Sequence, residues 1–343
     1  MKKLIPSLLA LSLCVGLVSC GGSSSGTPAS QAPASQAPAS AAPAAEAPAA
    51  KTYTVGICQL VQHDALDAAT KGFKDALTEA LGDSVKFDEQ NASGDPATCS
   101  TIVSGFATSG VDLIMANATP ALQAAVSATT TIPILGTSVT DYGAALSIDG
   151  LDASKGTGIN VAGSSDGVDP QLYVDLMMDL VPDAKKVSIL YCSAEANSVL
   201  QADGFKAALP AGVECNIFTF ADSNDIQAVV TSAVEGADAL YIPTDNQAAS
   251  NMTIITNVCQ SASLPVICGE ENMCSNGGLA TVSISYYEVG HLCGEQAVQI
   301  LRDGADVSTL PIAYASDPVK EYNPTYAEAI GFTVPQDFTA IGG

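Results

Sequence analysis

From about residue 52 onward, short apolar runs alternate with longer segments whose apolar positions recur every three or four residues. The runs 53–60, 85–87, 111–116 and 132–135 are nearly continuous in hydrophobicity, and the segments 65–81, 97–108 and 121–128 between them are amphipathic. Strands apolar on both faces and separated by helices predict a parallel sheet covered on both sides. In the first helix Leu66, Ala69, Phe73, Leu77 and Ala80 form the buried stripe, and Asp64 is placed to cap it.

The pattern repeats. Val55-Gly-Ile-Cys and Gly72-Phe-Lys-Asp-Ala-Leu return 132 residues later as Val187-Ser-Ile-Leu and Gly204-Phe-Lys-Ala-Ala-Leu. Ile132-Pro-Ile-Leu returns at the same offset as Leu264-Pro-Val-Ile, and Val111-Asp-Leu-Ile at a similar one as Ala237-Asp-Ala-Leu. Landmarks repeated in one order predict two similar α/β lobes. Ligands of open parallel sheets sit beyond the carboxyl ends of the strands, so two such lobes facing each other make a cleft. The loops expected to converge there are 59–64, 117–120 and 136–142 from lobe one and 193–198, 243–246 and 269–272 from lobe two.

None of these loops contains Lys or Arg, which makes an inorganic anion a poor ligand unless helix N-termini alone hold it. They carry Asp141, Glu195, Asp245, Glu270 and Glu271 beside Thr119, Ser138, Thr140, Asn197, Ser198 and Asn246, with Gln59 and His63 in the first loop. That set suits a zwitterion: a carboxylate for a ligand ammonium, and hydroxyls with free helix N–H groups for a ligand carboxylate. Asp245, near the end of Tyr241-Ile-Pro-Thr-Asp-Asn, is the first choice for the ammonium, with Glu195 or Glu270 behind it. Thr119, Asp64, Asn197 and Asp245 also stand where helices start, and capping explains each taken singly. His63 reads equally as a surface residue, and Tyr286-Tyr287 as packing.

The amino terminus adds a compartment. Lys2 and Lys3 precede an apolar stretch over 4–18, and Leu17-Val18-Ser19-Cys20 reads as a lipoprotein cleavage site, predicting a signal peptide over 1–19 and acyl chains such as palmitate on Cys20. Residues 21–50 are almost wholly Gly, Ser, Ala, Pro and Gln; such a segment cannot bury a core and is expected to be a disordered tether reaching ~30 to ~90 Å. The expected location is the outer face of the cell membrane. The net charge of −24, with Arg302 the single arginine, argues against nucleic acid or an anionic bilayer surface as partner.

Eight cysteines follow Cys20, at positions 58, 99, 192, 215, 259, 268, 274 and 293; their spacing matches no zinc site, and those in apolar runs read as small buried hydrophobes. Cys268 with Cys274 is the expected pair if any disulfide forms. His63 and His291 lie far apart, and no G-x-G-x-x-G opens a helix after a strand, so the sequence predicts no enzyme, no metal and no cofactor.

The runs VGICQLVQHDALDAATKGF, ANATPALQAA, SAEANSV, YIPTDN, GEENM and ISYYEVG resemble those of ABC-importer substrate-binding lipoproteins of the tryptophan/tyrosine-transport branch, over essentially all of residues 52–334. The resemblance implies a type I periplasmic-binding-protein fold: α/β, two doubly wound parallel-sheet lobes joined by a multi-strand hinge. It implies an aromatic amino acid held by Thr119, Ser138, Thr140, Glu195, Asn197, Ser198, Asp245, Asn246 and Tyr286, and a membrane permease and ATPase as partners of a monomer. Tyr142 stands where members of the branch usually carry proline, and Pro170 follows Asp166 later than usual; both bear on the side-chain pocket. The lobes are expected as 51–165 plus 286–318 and 166–285 plus 319–343. A nucleoside or an aliphatic amino acid as ligand, and an adhesin or sensor as role, stay open on the residues alone.

Overall fold

In β1 (Tyr53–Gln59) the apolar side chains divide by parity. Val55 and Ile57 enter one core with Phe73 and Leu77, while Cys58 enters another with Phe106 and Leu122. The same division runs through β3 (Leu113–Asn117): Leu113 and Met115 face one core, Ile114 and Ala116 the other. A strand buried on both faces has no polar side to show, which is why these runs read as continuous. The structure, a computed structural model, describes residues 51–341. The signal segment 1–19, Cys20 and the tether 21–50 lie outside the described residues.

The first sheet also contains β2 (Val85–Asn91), β4 (Ile134–Thr137), β5 (Val161–Ser165) and a late strand, β11 (Ala313–Tyr314), in the order β11-β5-β4-β3-β1-β2, all parallel. Its helices are α1 (Asp64–Leu81), α2 (Pro96–Ser109), α3 (Thr119–Ala128) and α4 (Tyr142–Leu146). The second sheet is built from β6 (Lys186–Cys192), β7 (Glu214–Phe220), β8 (Ala239–Ile242), β9 (Val266–Cys268), β10 (Ala280–Ser283), β12 (Val319–Tyr322) and β13 (Thr339–Ala340). Its order is β13-β12-β10-β9-β8-β6-β7, with β10 and β12 antiparallel. The helices of this half are α5 (Pro170–Leu180), α6 (Ala196–Ala208), α7 (Ile226–Ala233), α8 (Asn246–Ser250), α9 (Met252–Ser261) and α10 (Glu271–Ser275); α11 (Tyr286–Leu301) packs along α1, and α12 (Pro324–Ile330) against α9.

The repeated Gly-Phe-Lys motif has a packing reason. A Cβ on Gly72 of α1 would collide with the Tyr287 carbonyl of α11, one on Gly290 of α11 would collide with the backbone of Ala69, and one on Gly294 would lie 2.6 Å from the Phe73 carbonyl. In the other half, a Cβ on Gly204 of α6 would lie 2.7 Å from the Pro170 ring of α5. Each motif supplies the glycine that lets two helices touch, and the Phe beside it is wholly buried: Phe73 in one core, and Phe205 stacked on Tyr241 at 4.0 Å in the other.

In both sheets the strand order reverses beside the first strand, β1 next to β3 and β6 next to β8, so the loops leaving these carboxyl ends diverge and leave a crevice. The chain passes between the sheets three times: after β5, after β10, and between β11 and β12.

Two local expectations change. Asp64 does not cap α1: it is the first helical residue, the N-cap His63 makes no side-chain capping bond, and the Asp64 carboxylate accepts from Asn276 Nδ2 at 3.0 Å in the other half. All eight cysteines of the described residues are free thiols. Cys268 sits beside Cys274, and Cys58 beside Cys99. Burial pushes Cys192 and Cys259 up to about 12, so these thiols stay protonated and behave as apolar filling.

Candidate functional site

Each half presents its loops differently. In lobe one the backbone is strained where it meets the crevice: Ala118, before α3, has φ 89 with ψ 155, and Ser138, after β4, has φ 55. Conformations that L-residues rarely adopt persist only where packing over-determines them. In lobe two, buried carboxylates organise the loops by accepting backbone N–H groups at helix starts. Asp245 Oδ1 accepts from Ala248 N at 2.8 Å, and its Oδ2 accepts from Cys192 N and the Ser198 hydroxyl, both at 2.7 Å. Glu195 Oε2 accepts from Asn246 N at 3.1 Å and from Asn246 Nδ2 at 2.5 Å, and its Oε1 from Gln247 N at 2.9 Å. Glu270 accepts from Asn272 N at 2.6 Å and Met273 N at 2.5 Å.

Between the halves lies a narrow cavity of about 10 Å³, room for roughly one water molecule. His63, Leu66 and Ser138 line it from lobe one, and Asn197, Thr244, Asp245, Asn246, Ala249, Glu270 and Met273 from lobe two, while Asp166 and Tyr286 come from two of the connections. An amino acid enters only when the lobes move apart. Hydrogen bonds across the cleft hold them together here: His63 Nε2 with Asn246 Oδ1 at 3.1 Å, Gln247 Nε2 to the Gly94 carbonyl at 2.9 Å, and Gln201 Nε2 to Thr140 Oγ1 at 3.4 Å.

Four polar atoms of this lining are buried without a partner: Asp166 Oδ1, Asn197 Oδ1, Ser138 Oγ and His63 Nδ1. Buried polar atoms are ordinarily paired, so a cluster of orphans marks where something polar binds. Asp166 accepts the Tyr286 hydroxyl on its other oxygen at 2.7 Å; burial raises its pKa, and the hydroxyls of Tyr286 and Thr140 work against that. His63 is pushed below its ordinary value by burial, against the bond to Asn246 Oδ1, and is therefore neutral. Burial raises both Glu195 and Asp245, and the charge of Asp245 adds to the rise at Glu195, which reaches about 8.

Of the residues singled out from the sequence, His63, Ser138, Asn197, Asp245, Asn246, Glu270 and Tyr286 meet at this cavity. Glu195 and Ser198 stand behind it and hold Asn246 and Asp245. Thr119 is buried at the start of α3 but is not in the lining. Gln59 lies elsewhere, bound within lobe one to Asp67 at 2.6 Å and to the Thr70 hydroxyl at 2.7 Å. Thr140 and Asp141 flank a separate open groove of about 630 Å³, where Asp141 caps α4 through Ala144 N at 2.7 Å. Tyr142 donates its hydroxyl to the Gly136 carbonyl at 2.8 Å and is structural. Sequence reasoning missed Asp166, which it treated as a crossing point; its signal was an acidic residue just past the carboxyl end of a strand. Leu66, Ala249 and Met273 were missed because an apolar residue on a helix reads as core.

The comparisons with known proteins agree with this architecture. The ABC transporter substrate binding protein family matches residues 54–341. A tyrosine-binding protein of Clostridioides difficile (strain R20291) is 38% identical over 269 residues, 76% of this chain and 76% of that protein. A Streptococcus pneumonia structure described as an ABC domain in complex with L-Trp is 32% identical, with TM-score 0.80, over 84% of this chain and 99% of its own. A ligand-free, open structure of a Clostridium difficile substrate binding protein with adhesive properties is 36% identical over the same shares, with TM-score 0.63. The higher identity with the lower score means that the lobes sit nearer the arrangement of the tryptophan complex than that of the open form. Two doubly wound lobes, a cleft lined by both, and a family match spanning the described residues lead to one conclusion: the chain belongs to the ABC transporter substrate-binding protein family.

Proposed function

We propose that this protein is the extracytoplasmic solute-binding component of an ABC importer and that it captures an aromatic amino acid, tyrosine, tryptophan or phenylalanine, in the cleft between its lobes. The observation that carries the reading is the orphan set on the cavity wall. Asp166 Oδ1 and Asn197 Oδ1 are acceptors for an α-ammonium, and the Ser138 hydroxyl is a donor for a carboxylate. The relatives that bind tyrosine and L-Trp support the ring preference. The lobes, 51–165 plus 286–318 and 166–285 plus 319–343, would close about the three connections and offer the closed surface to a permease. Acyl chains on Cys20 would hold the protein at the membrane; among the described residues no helix is long and apolar enough to cross one.

Calorimetric titration of the purified protein with the twenty amino acids, ribose, phosphate and a nucleoside tests the reading. Saturable binding of an aromatic amino acid is expected. Response to ribose, phosphate or a nucleoside with none to any amino acid overturns it. The relative with adhesive properties favours surface adhesion as a second reading, which would coexist with ligand capture.

A further inference from the structure

We propose that His63 makes the cleft select a ring bearing a polar hydrogen, the phenol of tyrosine or the indole of tryptophan, over the bare ring of phenylalanine, by accepting that hydrogen at Nδ1. The inference rests on the amino-acid reading above and deepens it.

The tautomer of His63 follows from a chain of fixed donors. Two backbone N–H groups, of Asn246 and Gln247, point at the Glu195 carboxylate, and Asn246 Nδ2 stands 2.5 Å from its Oε2. With those donors in place, the amide of Asn246 turns its NH₂ toward Glu195 and its Oδ1 toward His63. That oxygen has no hydrogen to give; across the 3.1 Å contact, Nε2 of His63 must donate. The ring is neutral, since burial disfavours its charged form, and a neutral imidazole protonated at Nε2 has a bare lone pair at Nδ1. Nδ1 is buried on the cavity wall with no partner in the protein, although the residue as a whole is partly exposed. In a ligand-filled cleft a donor brought by the ligand satisfies it.

The surroundings say which end of the ligand brings it. His63 and Leu66 lie three residues apart at the start of α1, and Asn246 and Ala249 three apart on α8, so each polar residue has an apolar one on its own face; Met273 adds a third apolar side chain to the lining. Asp166, with the free oxygen for an ammonium, enters from the connection after β5 together with Tyr286. The ammonium and the ring thus have separate places, and His63 belongs with the apolar one. A ring without a polar hydrogen would leave Nδ1 dry and unpaired, a loss equivalent to about 10- to 100-fold in affinity.

The test is titration of the parent protein with L-tyrosine, L-tryptophan, L-phenylalanine, O-methyl-L-tyrosine and 1-methyl-L-tryptophan, repeated with His63→Leu. The tighter of tyrosine and tryptophan should bind at least about tenfold better than phenylalanine and than its own methylated analogue, and His63→Leu should bring these affinities to within about threefold of one another. The analogue series on the parent needs no variant to fold. Parental affinity for phenylalanine and O-methyltyrosine, or a preference that survives in His63→Leu, overturns the role of His63 and leaves the amino-acid reading standing. No binding of any of the five overturns both.

Discussion

Among the carboxylates lining or backing the cavity, Asp166 keeps an oxygen without a partner, while Glu195, Asp245 and Glu270 spend both of theirs on donors within their own lobe. An ammonium can therefore be received at Asp166 without breaking any bond already made, whereas at Asp245 it would compete with two backbone N–H groups and a hydroxyl. Loss of a charge partner inside a closed cleft costs about 2 to 5 kcal/mol. Asp166→Asn is accordingly expected to weaken amino-acid binding at least about thirtyfold with the thermal midpoint little changed. Asp245→Asn should do the reverse, lowering folding stability by about 1 to 3 kcal/mol as one of its donors loses its acceptor, with affinity largely kept. Calorimetry beside denaturant melts of the two variants separates them; an Asp166→Asn protein that binds like the parent removes the ammonium from Asp166.

At the scale of elements, lobe two places its acids where short helices begin. α8 and α10 are five residues each, too short to hold themselves together, and the carboxylates of Asp245 and Glu270 accept the N–H groups that their first turns leave free. The arrangement has a consequence for pH. Burial pushes Glu270 up to about 7, against the two N–H groups that it accepts and that favour its charged form. A carboxyl group whose folded value is raised binds its proton more tightly in the native protein than in the unfolded chain. Stability from this group is then full at acid pH and is lost as pH rises from the ordinary carboxylate range through about 7. Thermal melts between pH 5 and 8 should show the midpoint falling with rising pH, and Glu270→Gln, which keeps one acceptor oxygen and cannot titrate, should flatten part of that slope. Equal slopes for parent and variant would show that Glu270 does not titrate in this range.

For the whole molecule, three connections join two lobes that touch through a few hydrogen bonds: Gln247 to Gly94, Gln201 to Thr140, Asn276 to Asp64, and His63 to Asn246. Contacts so few and so polar hold weakly in water, so an equilibrium between open and closed lobes, biased by a ligand that bridges them, follows from the architecture. Capture for a membrane partner also requires that the protein stay near it. The cleavage-site pattern ending at Cys20 predicts that Cys20→Ala moves the protein from the membrane fraction to the soluble one. A variant that still sediments quantitatively with membranes would rule lipidation out.

The sequence by itself determined the fold class and its duplication, because strands buried on both faces must be apolar throughout and helices packed on them must be apolar on one side. It also pointed to which loops meet, since the carboxyl ends of parallel strands lie on one edge: six of the thirteen residues picked from those loops line a single cavity. Only the tertiary structure decided which of the acids has an oxygen to spare. Asp245 and Asp166 are alike in sequence, each an aspartate just past a strand, and what distinguishes them is whether backbone N–H groups come within hydrogen-bond distance of both oxygens. The same holds for His63, whose bare nitrogen is set by an asparagine 183 residues away in the chain and by the glutamate that orients it. Hydrophobic periodicity is local and survives in a string of letters; the pairing of buried polar atoms is a property of distances between segments, and exists only once the chain has folded.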